Sequence, residues 1–230
     1  MLQAPCCKLS NAKQGPVITD RFRLRGKVCC ILVGNASTPA EYHVHETLLK
    51  SKSKFFDAAL NKCWIEGREG RVLLPEDDPE IFEVYQNYIY TKVLPVKVPN
   101  PDLKLEGNEN HPEYFTLAKL YAFGEKVQDV SFKNAVMKAF LGRMGEPVGS
   151  VGKWNPITKV VDIIYGATMP DSRARQLMVD VHVNLGASHW ITTDLEENNK
   201  EFLMDLSRAL LKGRTRSGWT PVQSDYLETE

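Results

Sequence analysis

Residues 74–80, Leu-Pro-Glu-Asp-Asp-Pro-Glu, hold four carboxylates and no basic residue. Clustered carboxylates suit a hard divalent cation, which takes oxygen ligands, or general acid–base work. A hard-cation site needs further oxygens converging from elsewhere, and the flanking sequence offers none. Asp78-Pro79-Glu80 has a simpler reading: an N-cap acceptor, a proline at the first helical position, then an acid in the first turn. Proline there loses no useful N–H, and each carboxylate facing the positive end of the helix dipole contributes roughly 0.3–1 kcal/mol. Asp78, Pro79 and Glu80 therefore read as a structural helix start. Glu76 and Asp77 are left as spare, solvent-facing acids, at most surface for a partner.

His43-x-His45 is the other candidate. On a strand the two imidazoles share one face about 7 Å apart and form a chelating pair. His111, His182 and His189 are isolated and supply no nearby third or fourth ligand. The preferred reading is that His45 closes the strand and hydrogen-bonds locally at the following helix start, with no metal. A phosphate-binding loop fails at its nearest candidate, where Pro147 stands in place of the first glycine and Trp154 follows Gly152-Lys153. There is no G-x-G-x-x-G, and Gly149-Ser150-Val151-Gly152 is not a nucleophile elbow. No catalytic residue, cofactor site or metal ligand is expected.

The elements that would position these residues follow from periodicity. Residues 28–33 (VCCILV) are a continuous β-favouring apolar run closed by Gly34-Asn35, which predicts a buried strand and turn. Residues 41–45 predict a second strand and Glu46–Lys50 a short helix. Ser53 is placed to cap a helix bearing Phe55, Phe56, Ala59 and Leu60. Residues 71–74 predict a third strand ended by Pro75. After Asp78, the residues Ile81, Phe82, Tyr85, Tyr88 and Ile89 form one apolar helical stripe. Residues 93–111 are rich in Pro, Asn and Gly and predict a surface loop. Two helices follow, one with Tyr114, Leu117, Ala118, Leu120, Tyr121 and Phe123, the next with Val130, Phe132, Ala135, Val136, Ala139 and Phe140. Beyond a break at Gly142–Gly152, helical patterns recur at 156–165, 171–185 and 198–211. Three short strands followed by helices, without strand–helix alternation, imply an α+β fold.

The 230 residues carry 29 basic and 29 acidic side chains, so no net field calls for nucleic acid or an anionic membrane. The basic stretches 21–27 and 208–216 and the acidic stretch 76–83 read as solvated surface. No run approaches the ~18 apolar residues of a membrane span, and residues 1–16 lack the apolar region of a secretory signal. Five cysteines, four of them in adjacent pairs, fit neither a disulfide framework nor C-x-x-C zinc spacing. A reducing compartment, cytoplasm or nucleus, is expected.

The string 42–91 resembles the BTB/POZ domain in the form common among fungal proteins. It carries Val44-His45, Leu48-Leu49, Ser53-x-Phe55-Phe56 with Ala58-Ala59, Trp64-x-Glu66, the strand into Leu74–Glu80, and Tyr88-Ile89-Tyr90-Thr91. Val28–Gly34 looks like the family's first strand, and residues 112–141 like its closing helix pair. Segments 160–165, 175–183 and 201–211 are similar to the helical tail that follows the domain in the fungal proteins. The implied organisation is a flexible tail (1–23), a BTB/POZ domain (24–144) with a variable loop (93–111), a helical extension (154–212) and a second tail (213–230). The resemblance implies a short three-stranded sheet flanked by helices. It also implies a non-enzymatic interaction module that homo- or heterodimerises.

In many members of the family this module also binds a cullin scaffold, which would make the chain a ubiquitin ligase substrate adaptor. The alternative is an oligomerisation scaffold or transcription-related co-factor without cullin binding. Implied partners are a second copy, another BTB protein, a cullin in the adaptor reading, and a client protein; nucleic acid and membrane are not among them. The dimer face implied by the family comprises Lys27, Val28, His45, Glu46, Leu48 and Leu49. The family usually has Asp where Lys27 stands and Lys or Arg where Glu46 stands. Two readings stay open: a sign-swapped pair that keeps the pocket and alters partner choice, or two exposed charges worth under about 1 kcal/mol with the usual dimer lost.

Overall fold

Val28–Val33 alternates in burial because successive side chains of a strand point to opposite faces. This strand, β1, is the middle of a three-stranded sheet in the computed structural model. The structure describes residues 26–35, 37–61, 69–96, 112–145, 159–191 and 198–213. The expected tail 1–23, all of the expected tail 213–230 but Gly213, most of the loop 93–111, Trp64-x-Glu66, Cys6, Cys7, Cys63 and the glycine-rich break beyond 145 lie outside the described residues.

β1 pairs antiparallel with β2 (Ala40–His45), with Val28 opposite His45, Cys30 opposite His43 and Leu32 opposite Glu41. It pairs parallel with β3 (Arg71–Leu74), giving the order β2-β1-β3. Gly34 leaves β1 with φ +92°, and a Cβ there would stand 3.2 Å from Pro79 Cγ, so the turn needs glycine twice over. Between β2 and β3 lie α1 (Glu46–Lys52) and α2 (Lys54–Ala59). Ser53 caps α2 as expected, its Oγ accepting from the Phe56 N–H at 3.1 Å and donating to the Val127 carbonyl.

α3 (Pro79–Thr91) begins where the sequence placed it. Asp78 Oδ1 accepts from the Glu80 N–H at 3.0 Å, and Pro79 opens the helix. All five stripe residues, Ile81, Phe82, Tyr85, Tyr88 and Ile89, are buried. Phe82 and Tyr85 meet Phe123, and Tyr85 and Tyr88 meet Phe132, at ring separations of 4.9–6.0 Å, and so bind α3 to the next two helices. Those helices are α4 (Pro112–Lys126) and α5 (Val130–Gly145). Buried Asp129 starts α5 by accepting from the Phe132 N–H at 2.9 Å, and the Tyr85 hydroxyl donates to its other oxygen at 3.3 Å. Burial and the Asp129 carboxylate push the Tyr85 hydroxyl pKa far up, so it stays a donor. Val130 departs from expectation: it is 59% exposed, because it lies on the solvent side of the first turn of α5.

The last three helices are α6 (Lys159–Ala167), α7 (Arg173–Leu185) and α8 (Lys200–Gly213), with a 3₁₀ turn at Ser188–Trp190. α6 packs on α4, and Val160, Val161, Ile164 and Tyr165 join the same hydrophobic core as the sheet. Arg175 ties the three tail helices together from a buried position. It donates to the Tyr165 carbonyl at 2.8 Å and the Thr168 hydroxyl at 3.1 Å, stacks 4.5 Å over the Tyr165 ring and pairs with Glu201. The chain is thus α+β: a small mixed sheet, with eight α-helices among the described residues.

Candidate interaction surface

The sheet has one dry face and one wet face. Cys29, Ile31, Val33, Val44, Val72 and Leu74 point inward and are at most 3% exposed. Val28, Cys30 and Leu32 of β1, Glu41, His43 and His45 of β2, and Arg71 and Leu73 of β3 point outward, since strand alternation and the register place them together. Among the described residues β2 and β3 are the edges of the sheet, and α3 reaches the β2 edge, where Gln86 Nε2 donates to the His43 carbonyl at 3.4 Å. Val28 is 44% and Leu73 60% exposed.

Leu48 and Leu49 do not join this surface. Both are buried on the core-facing side of α1, so within this protomer they present no exposed apolar patch. A seven-residue helix presents one face to the core, and adjacent leucines with β-branched and aromatic neighbours nearby satisfy that face first. Lys27 and Glu46 are joined, but through the backbone: the Glu46 N–H donates to the Lys27 carbonyl at 2.9 Å. Their side chains diverge. Glu46 pairs with Lys50 one turn on at 3.7 Å, and the Lys27 ammonium lies over Gly70, 3.1 Å from where a Cβ would be. Among the described residues no Lys27–Glu46 ion pair forms, so a sign-swapped side-chain pair is absent from this protomer.

His45 is satisfied, though not locally. Its Nδ1 hydrogen-bonds the Tyr90 hydroxyl at 2.8 Å, and its backbone N–H donates to the same oxygen at 3.1 Å. The partner is thus on the far end of α3, and His45 makes no side-chain cap on α1. His43 instead faces Glu41, Nε2 to Oε1 3.4 Å, and the Cys30 thiol donates to the same oxygen at 3.5 Å. Burial and the Glu41 hydrogen bond raise the Cys30 thiol pKa, while the Arg71 guanidinium on β3 works the other way. Sequence reading missed this grouping of Cys30, Glu41 and His43. Counting two residues per period from both sides of the 34–39 turn would have found it, because adjacent Cys29 and Cys30 must face opposite ways.

The acidic stretch lines an open cleft of about 530 Å³ between the β3–α3 turn, α4 and α6, floored by Ile81, Phe123, Ile163 and Met169. Asp78 Oδ2 pairs with Lys119 Nζ at 3.1 Å and Asp77 Oδ2 with Lys126 Nζ at 2.6 Å. Asp77 is therefore not a spare surface acid, as expected from sequence, but half of a clamp between the turn and α4. Each carboxylate already holds a cation, which leaves little for a metal to gain there.

No family model matches the chain. No helix among the described residues is long and apolar enough to cross a membrane.

Proposed function

We propose that this chain is a protein–protein interaction module of the BTB/POZ kind, working as a homodimer or paired with a second BTB protein, and not as an enzyme. The observation that carries the reading is the order of elements. A hairpin, two short helices, a strand returning parallel to β1, the Asp78-capped helix and a closing helix pair succeed one another where the sequence features that carry the resemblance fall. The outer sheet face supplies the surface: apolar Val28 and Leu73 stand exposed among polar neighbours. In the adaptor form of this function a cullin binds the same chain and the tail helices, or the partner protomer, hold the client.

Light scattering of the full chain across a micromolar concentration series tests the reading. A mass that rises to twice the protomer, and falls back in Leu73→Arg and Val28→Arg, is expected; both sites are exposed, so the fold should tolerate the charge. A strictly monomeric chain that also fails to bind a second BTB protein would sink the proposal. Titration of the full chain with a purified cullin then separates adaptor from scaffold: binding at micromolar concentration marks the adaptor.

A further inference from the structure

The outer sheet face holds one further feature, independent of any dimer. Cys30 is the direct cross-strand partner of His43, and Glu41 precedes His43 by two residues on β2, so all three side chains rise from one patch. Glu41 Oε1 is 3.5 Å from Cys30 Sγ and 3.4 Å from His43 Nε2. One donor atom from each residue lies within 4.8 Å of the other two. A zinc ion takes thiolate sulfur at about 2.3 Å, imidazole nitrogen at about 2.0–2.1 Å and carboxylate oxygen at about 2.0–2.2 Å, so neighbouring donors of a tetrahedron stand roughly 3.3–3.6 Å apart. Two of the three edges already have that length.

We propose that Cys30, Glu41 and His43 form a site for one zinc-type divalent ion, with the fourth position open to water. The donor set decides the class of metal. A thiolate and an imidazole favour zinc, cobalt or copper, whereas magnesium and calcium demand oxygens. Charge closes as well: a thiolate, a carboxylate and a neutral imidazole sum to minus two against the ion's plus two, and the thiol proton leaves to solvent. The contrast with the acidic stretch is instructive. Asp77 and Asp78 each hold a lysine, while Glu41 has no Lys or Arg ion-pair partner among the described residues and meets only the thiol and the imidazole. Both of those groups can exchange a proton for a metal. A thiol donor and a protonated histidine around Glu41 would hold the same distances without metal, and that is the alternative to separate.

The probe is cobalt(II), titrated under a phosphine reductant into the full chain with Cys6, Cys7 and Cys63 changed to serine, so that only buried Cys29 and Cys30 remain. Expected are one equivalent bound, tetrahedral ligand-field bands and a thiolate-to-cobalt charge-transfer band, all displaced by zinc. Cys30→Ser should abolish the charge-transfer band, and His43→Ala or Glu41→Gln should weaken binding by about tenfold or more. His45→Ala and Cys29→Ala should leave the spectrum unchanged. His43 and Glu41 are exposed at 64% and 55% of their side chains, so their variants keep the fold, which far-ultraviolet circular dichroism verifies. Absence of the band at about 0.1 mM metal, its persistence in Cys30→Ser, or undiminished affinity in His43→Ala overturns the site.

Discussion

Cys29 and Cys30 are neighbours in sequence, yet they belong to different worlds. Cys29 faces the core at 1% exposure, its thiol donating to the Val44 carbonyl at 3.3 Å. Burial, helped by the Glu46 carboxylate, pushes its pKa up to about 11. Cys30 faces outward into a group of polar and ionisable side chains. The same division runs through all three strands. The inner face is hydrocarbon closed against α1, α3 and the aromatic cluster, whereas the outer face mixes valine and leucine with histidine, glutamate and arginine. What differs is not backbone hydrogen bonding, which the two faces share, but which side of the pleat each residue takes. Stability resides on one side, and the available chemistry on the other.

The sharpest break of this contrast is Ile31→Ala. It opens a cavity in the fully buried face and should cost about 2–5 kcal/mol in denaturant unfolding. Asp129→Ala comes next. It removes the cap of α5 and the acceptor of the buried Tyr85 hydroxyl together, for a loss of about 2 kcal/mol. Thiol labelling at neutral pH, in the Cys6, Cys7 and Cys63 to serine background, should modify Cys30 at least ~10-fold faster than Cys29, because only the inner thiol needs local opening first. Equal rates would mean that the two faces are not distinct in solution.

A shallower effect tests whether burial governs titration elsewhere. His182, between the Trp190 and Phe202 rings and bonded through Nδ1 to the Met178 carbonyl, has its pKa lowered by burial. The unfolded imidazole titrates near ~6.5 and the folded one lower, so the unfolded chain binds more protons between those values. Stability should therefore be full above about pH 6.5 and decline as pH falls through the folded pKa. Asp162, which faces the same small pocket and whose pKa burial raises, titrates in both wild type and His182→Phe. The difference between the Tm–pH curves of these two proteins isolates the histidine. Smallest of all, Leu73→Thr on the outer face should change stability by no more than about 0.5 kcal/mol; a larger loss would mean that something covers that face.

Much of the fold was legible from short-range chemistry. The strand at Val28–Val33, the Ser53 and Asp78 caps and the Ile81–Ile89 stripe depend on a residue and its neighbours within one or two turns, and sequence displays those neighbours directly. The candidate surface was legible only in part. Val28 is exposed on the outer face. Leu48 and Leu49 are buried, which periodicity over seven residues does not reveal, since it does not say which flank of a short helix meets the core. Asp77 looked spare because its partner Lys126 is 49 residues away, and His45 looked locally bonded because Tyr90 is 45 residues away.

The amino-acid sequence by itself determined the element types, their caps and the α+β class, since each follows from local propensity, periodicity and capping geometry. Only the tertiary structure decided which charges are matched and which are left over. The hairpin register brings Cys30, Glu41 and His43 to one patch, and the packing of α4 against the β3–α3 turn gives Asp77 and Asp78 their lysines. Pairings across tens of residues are fixed by how faces pack, and a one-residue slip of register would turn every outward side chain of the strand inward.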